Sequence, residues 1–217
     1  MQKMKQKAVT TLASPLERLI REPPITPTIW PRRLFHLGSG SSIPIAAIYL
    51  PESLVMWGLI SLSVLSVLGE VGRMVLVPVN DLLLRYLPFF KPSEHHQVTG
   101  ATFMLLGATL VFVLFDKQVA LLALLFLAVG DPMAALVGGR IHKGRIFGKS
   151  LTGTLAFVVS AGAAGLLVSL HPDVPLEWWF VPGLLSAAAA ELLPIPLDDN
   201  VTVPLTGAGV MALLAMV

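Results

Sequence analysis

The sequence predicts an all-α, polytopic membrane helix bundle of about seven transmembrane helices with a cytoplasmic N-terminus. Three observations point there. The chain is 55% hydrophobic and 13% charged, with a mean hydropathy of +0.79; a soluble domain of 217 residues needs more charge to cover its surface. Its apolar residues gather in runs of helix length. When those runs are threaded through a bilayer, every Lys and Arg except Lys117 falls on one side, which the positive-inside rule makes the cytoplasmic one.

The elements follow in order. Residues 1–31 form a first unit. Lys3, Lys5, Lys7, Arg18 and Arg21 accompany Ala8, Val9, Leu12, Leu16, Leu19 and Ile20 at helical spacing, as in a basic amphipathic helix lying on an anionic membrane surface. The stretch from Glu22 to Pro31 holds four prolines, Pro23, Pro24, Pro27 and Pro31, and is a linker. The membrane-embedded domain is 32–217, with spans expected at 34–50, 53–69, 98–115, 118–138, 151–170, 177–193 and 201–217. The segment 74–92 is apolar but holds Asn80, Asp81 and Arg85, and is expected to be interfacial or re-entrant.

Several function classes are disfavoured at once. A net charge of +2 mostly reports basic loops, and no basic patch interleaved with aromatics suggests a nucleic-acid partner. There is no Cys, hence no thiolate ligand or nucleophile. The first 33 residues hold no apolar run long enough for a signal peptide. Small-residue runs such as Ala161 to Gly165 permit close helix packing, within the chain or in a homodimer.

The polar residues inside this apolar chain carry the chemistry. Asp131 lies in the fourth run, where a charge costs about 2.5–3.5 kcal/mol to insert and so has a partner or a task. A cap before Pro132 or a structural ion pair would explain it; a metal or phosphate site at a helix break is the sharper reading. The stretch Gly138 to Gly153 then sets Arg140, Lys143, Arg145 and Lys149 among glycines. Such a loop serves topology, or lets backbone N–H groups and cations meet phosphate oxygens. It is not a P-loop, because only three residues separate Gly144 from Gly148 where that motif needs four. Glu191 and the Asp198, Asp199, Asn200 cluster supply oxygens suited to Mg²⁺, although prolines and Asp–Asn also favour an ordinary turn. On the same side stand Arg32, Arg33 and His36, the Glu70–Arg73 pair, and Lys91, Glu94, His95 and His96. Cations and carboxylates gathered at one lipid interface suggest phosphoryl or nucleotidyl transfer to a lipid.

The segments RRLFH (Arg32 to His36), GEVGR (Gly69 to Arg73), VTGATFMLLG (Val98 to Gly107), GDPMAALVGGR…GKSLTGT (Gly130 to Thr154) and ELLPIPLDDNVTVPL (Glu191 to Leu205) together resemble the family of dolichol kinase, phytol kinase and CTP-dependent diacylglycerol kinase, distant relatives of the phosphatidate cytidylyltransferases. The resemblance spans about residues 32–217. It implies an all-helical membrane enzyme that moves the γ-phosphoryl group of CTP, or another nucleoside triphosphate, to a lipid alcohol. That alcohol would be diacylglycerol or an isoprenoid such as a polyprenol or phytol. It further implies that Asp131, Asp198, Asp199 and Asn200 hold Mg²⁺, and that Arg140, Arg145, Lys149, Gly148, Ser150 and Thr152 bind the phosphates. Asp199 or Glu191 would take the alcohol's proton. Arg33 and Arg73 are further phosphate candidates, and His36, Glu70 and His95 are candidates without a fixed role. Two alternatives stand beside this: a cytidylyltransferase acting on phosphatidate, and a non-enzymatic transporter, which would spread its polar residues through the membrane's depth.

Overall fold

The computed structural model describes residues 29–86, 94, 96–140 and 145–217. The expected amphipathic helix and most of the linker lie outside the described residues, as does His95. The described chain is mostly helical: α1 (Ile29–Tyr49), α2 (Glu52–Val75), α3 (Val77–Tyr86), α4 (Gly100–Leu114), α5 (Lys117–Gly138), α6 (Leu151–Val168), α7 (Phe180–Leu192) and α8 (Asp199–Ala215). Each expected span coincides with one helix to within a few residues, and 74–92 holds the separate short helix α3. Three helices, α2, α5 and α6, are long and apolar enough to cross a membrane, while α4, α7 and α8 are shorter apolar helices.

The all-helical expectation requires one amendment. Arg145–Ile146 (β1) and Lys149–Ser150 (β2) pair antiparallel, Arg145 opposite Ser150 and Ile146 opposite Lys149. The two residues between them, Phe147 and Gly148, have φ of 50° and 83°. Positive φ at both central positions is the two-residue hairpin turn whose twist suits the flanking strands. The glycine-rich loop is therefore, in part, a tight hairpin, and Gly148 is there for its backbone conformation.

Helix α5 is the axis of the bundle. Residues Val119 to Ala128 are buried without interruption, and α1, α4, α6, α7 and α8 all pack on it. A helix apolar on every face belongs in such a centre. Its neighbour α6 comes close through small residues: a Cβ on Gly153 would stand 2.9 Å from the Ala134 carbonyl and 3.3 Å from Gly138 Cα. Dispersion packing of backbone on backbone at glycines is how helices associate where lipid removes the hydrophobic drive. Contrary to a break at the Gly130–Pro132 step, α5 runs unbroken through Pro132, so Asp131 is a mid-helix residue and not a cap.

Helices α2 and α4 are joined by hydroxyl pairs, Ser63 with Thr109 at 2.7 Å and Ser66 with Thr102 at 2.6 Å. These side chains sit in largely apolar stretches of the two helices, where an unsatisfied hydroxyl is costly.

Candidate functional site

Three chain segments meet at Lys149. Strand β2 presents its ammonium group to Asp199, whose Oδ2 accepts a 2.8 Å hydrogen bond. The same Nζ donates to the Glu191 carbonyl and lies 3.4 Å from Glu191 Oε1. Glu191 is in the last turn of α7 and Asp199 is the first residue of α8. One cation thus bridges a helix end, a helix start and the hairpin. Burial alone would lower the Lys149 pKa, but its hydrogen bond to Asp199 and the charges of Asp199 and Glu191 outweigh that and raise it. Lys149 is held as a cation.

Around it the arrangement is incomplete. Glu191 is buried, yet its Oε2 has no hydrogen-bond partner. A buried carboxylate oxygen without a partner is costly and calls for an explanation. Asp131 lies near enough for its charge to act on both Glu191 and Asp199. Its Oδ2 is 3.8 Å from His36 Nε2. One turn along the same α1–α5 contact, Arg33 donates a 3.0 Å hydrogen bond to the Ala135 carbonyl. Arg33 therefore fastens α1 to α5 beside Asp131.

The hydroxyls of Ser150 and Thr152 hydrogen-bond each other at 2.6 Å, just after Lys149. Arg140 and Arg145 are exposed, Arg145 making a long 3.4 Å contact to the Gly148 carbonyl within the hairpin. The structure thus brings together Asp131, His36, Lys149, Glu191 and Asp199, with the Ser150–Thr152 pair adjoining.

Asp198 and Asn200, the other expected metal ligands, are engaged in starting α8. Asp198 is the N-cap of α8 and accepts from the Asn200 backbone N–H at 2.9 Å and its side-chain amide at 2.7 Å. The Asn200 amide also reaches the Gly100 carbonyl, at 3.3 Å. A capping Asp and a tethering Asn are what the Asp–Asp–Asn turn needs to begin a helix. Among the described residues, no three His, Asp or Glu side chains converge as a ready metal cage.

Glu70 and Arg73 form a second cluster. Arg73 Nε donates to Glu70 Oε2 at 2.8 Å, and its terminal nitrogens donate to Asn80 Oδ1 at 2.9 Å, to the Glu94 carbonyl at 2.8 Å and to the Gln97 carbonyl. Glu70 Oε1 accepts from the Thr99 backbone at 3.1 Å, from its hydroxyl at 2.6 Å and from the Thr102 hydroxyl at 2.9 Å. Arg73 therefore spends its donors on the protein. Sequence spacing suggested only the Glu70–Arg73 step; a Thr at the N-cap position of α4, Thr99, is a signal that could have pointed to part of the rest.

No family model matches the chain, and no solved structure matches it. It is 25% identical over 182 residues to an uncharacterised protein of Rickettsia prowazekii, covering 81% of this chain and 89% of that one. A further uncharacterised protein, of Methanocaldococcus jannaschii, is 25% identical over 176 residues, 80% of this chain and 87% of its own length. Over 142 residues, 58% of its length, the chain is 28% identical to CTP-dependent diacylglycerol kinase 1 of Schizosaccharomyces pombe, of which it covers 65%. It is thus distantly similar, over part of its length, to a lipid kinase.

Proposed function

We propose that this chain is an integral-membrane lipid kinase with seven spans and a cytoplasmic N-terminus. It transfers the γ-phosphoryl group of CTP, or another nucleoside triphosphate, to a lipid alcohol at the cytoplasmic face, with Mg²⁺. The observation that carries the proposal is Lys149, a cation held at a membrane-helix boundary between Glu191 and Asp199 and next to two hydroxyls. The partial similarity to a CTP-dependent diacylglycerol kinase supports it.

The acceptor oxygen forms a bond to the γ-phosphorus while the bond to the β,γ-bridging oxygen breaks. The nucleoside diphosphate leaves, and the hydroxyl proton passes to a carboxylate, Asp199 or Glu191. Such transfer is chiefly positioning and charge neutralisation. Lys149 takes up phosphate charge, with Arg140 and Arg145 as exposed side chains at the rim and Ser150 and Thr152 as neutral donors. The donor set suits Mg²⁺, which typically takes one or two carboxylates, several waters and substrate phosphates in place of an all-protein cage. Asp131 and Asp199 would hold it, with the unpartnered Glu191 Oε2 at hand. When bound, the ion neutralises charge on the phosphates.

The test uses purified protein in lipid micelles with Mg²⁺, diacylglycerol, isoprenoid alcohols, phosphatidate and CTP labelled at the γ-phosphate. Label in the extracted lipid is expected. Label recovered as pyrophosphate, with none in lipid, would make the protein a phosphatidate cytidylyltransferase instead.

A further inference from the structure

Beyond the Lys149 site, a cleft of about 520 Å³ is lined by residues from α2, the segment leading into α4, and the turn before α8. Part of its lining is polar, Glu94, His96, Gln97 and Asp198, and part is apolar, Met74, Val98, Phe103, Pro196 and Leu197. Its volume lies within the range that holds a small ligand, about 300–1,000 Å³.

Three features say what fits it. First, its polar lining is built to keep its shape. Arg73 hydrogen-bonds the Glu94 and Gln97 carbonyls, and the Glu94 carboxylate accepts from the Gly100 backbone at 3.1 Å. The buried Glu70–Arg73 cluster therefore sets the backbone that lines the cleft. Second, the apolar lining continues outward. Met74 is followed along one face of α2 by exposed Val71, Leu68 and Val64, a stripe at helical spacing on a helix apolar enough to cross a membrane. Third, the cleft ends at Asp198, the neighbour of Asp199, so it adjoins the Lys149 site across the start of α8.

We infer that this cleft is the binding site of the acceptor lipid alcohol. The polar head lies against Glu94, Gln97 and Asp198, and the chain leaves past Met74 along the apolar stripe of α2. Arg73 is a positioning residue for it and makes no contact with phosphate. This rests on the kinase reading above and adds the acceptor's place to it.

The experiment does not depend on turnover. Diacylglycerol and phytol, each carrying a diazirine beside the hydroxyl end, are photolysed separately with the protein in micelles, and the labelled peptides are identified. At least one probe is expected to label residues 96–103 or 196–198, and excess unlabelled alcohol should suppress that labelling. Val98→Trp and Leu197→Trp, both substitutions at exposed positions that put bulk into the cleft, should suppress it too. They should raise the acceptor KM about tenfold and leave nucleotide affinity unchanged. Labelling by both probes confined to other segments would overturn the inference. So would a loss of nucleotide affinity in the two Trp variants, which would make the cleft a nucleoside site. Failure of the unsubstituted protein to phosphorylate any lipid, with cleft labelling intact, would instead count against the kinase reading alone.

Discussion

Arg73 and Lys149 are both cations held by carboxylates near helix ends, and the difference between them is that between a closed network and an open one. The Arg73 and Glu70 side chains are 4% and 8% exposed, and every contact they make is to a fixed protein group. The Lys149 and Asp199 side chains are about one-third exposed, and the Glu191 beside them keeps one oxygen unpartnered. A closed network has no capacity left for a ligand. The Lys149 network is open, and under the proposed kinase reading its cation would exchange between carboxylate and phosphate. Function is expected where the protein has left polar groups half-served.

The sharpest way to break this comparison is to remove Arg73. Arg73→Ala leaves Glu70 charged and buried against Thr99 and Thr102, and removing one partner of a buried pair costs about 3–5 kcal/mol. Thermal unfolding in micelles should show that loss. Pairing it with Glu70→Gln should recover much of it, since the stranded charge is then gone. A loss below about 1 kcal/mol, the value of a solvated pair, would mean the network is not closed.

Asp131→Asn addresses the other network and should leave the folded protein intact, because its side chain is about one-third exposed and its ion pair among the described residues is a 3.8 Å approach to His36. Transfer should fall by about 10²–10³, the scale for losing one charge-stabilising group. Normal turnover would remove Asp131 from the site. Lys149→Ala should weaken nucleotide binding by about 10–100-fold, the equivalent of one charged hydrogen bond at about 1.5–3 kcal/mol. Equilibrium binding of CTP measures this; an unchanged affinity would reassign the hairpin to topology alone.

Most of the helices were legible because apolar runs of membrane length leave few options for the backbone: every polar group must be satisfied within the segment. The clustering of Lys149, Glu191 and Asp199 was foreshadowed by their expected placement on one membrane side. What remained hidden was how each polar residue would be served. Arg33, Arg73 and Lys149 look alike in sequence, yet the first binds a carbonyl of α5, the second closes a buried network and the third faces an open site. Asp198 and Asp199 are adjacent, but the register of one helix start makes the first a cap and the second a partner of Lys149. The unbroken course of α5 through Pro132 was hidden for a related reason. Proline is tolerated inside membrane helices where neighbouring groups serve the freed carbonyl, and sequence does not reveal those neighbours. The hairpin was missed because two-residue strands carry almost no periodicity, and Phe is an unusual choice where φ is positive.

That Phe gives the smallest expected effect. At φ of 50°, a non-glycine residue in the left-handed region costs about 1–2 kcal/mol, part of which Phe147→Gly should recover. Glycine gives back about 0.5–1 kcal/mol through its freer unfolded chain, so a net gain of about 0.5 kcal/mol in unfolding free energy is expected. Gly–Gly is a favoured pair for this turn, so the pairing of Ile146 with Lys149 should survive and nucleotide affinity should not change. Phe147 is 64% exposed, so strain is kept at the tip with little of the residue buried in return. A several-fold loss of CTP affinity in the glycine variant would show the return to be in the ligand, and would extend the open network from Lys149 to the tip of its own hairpin.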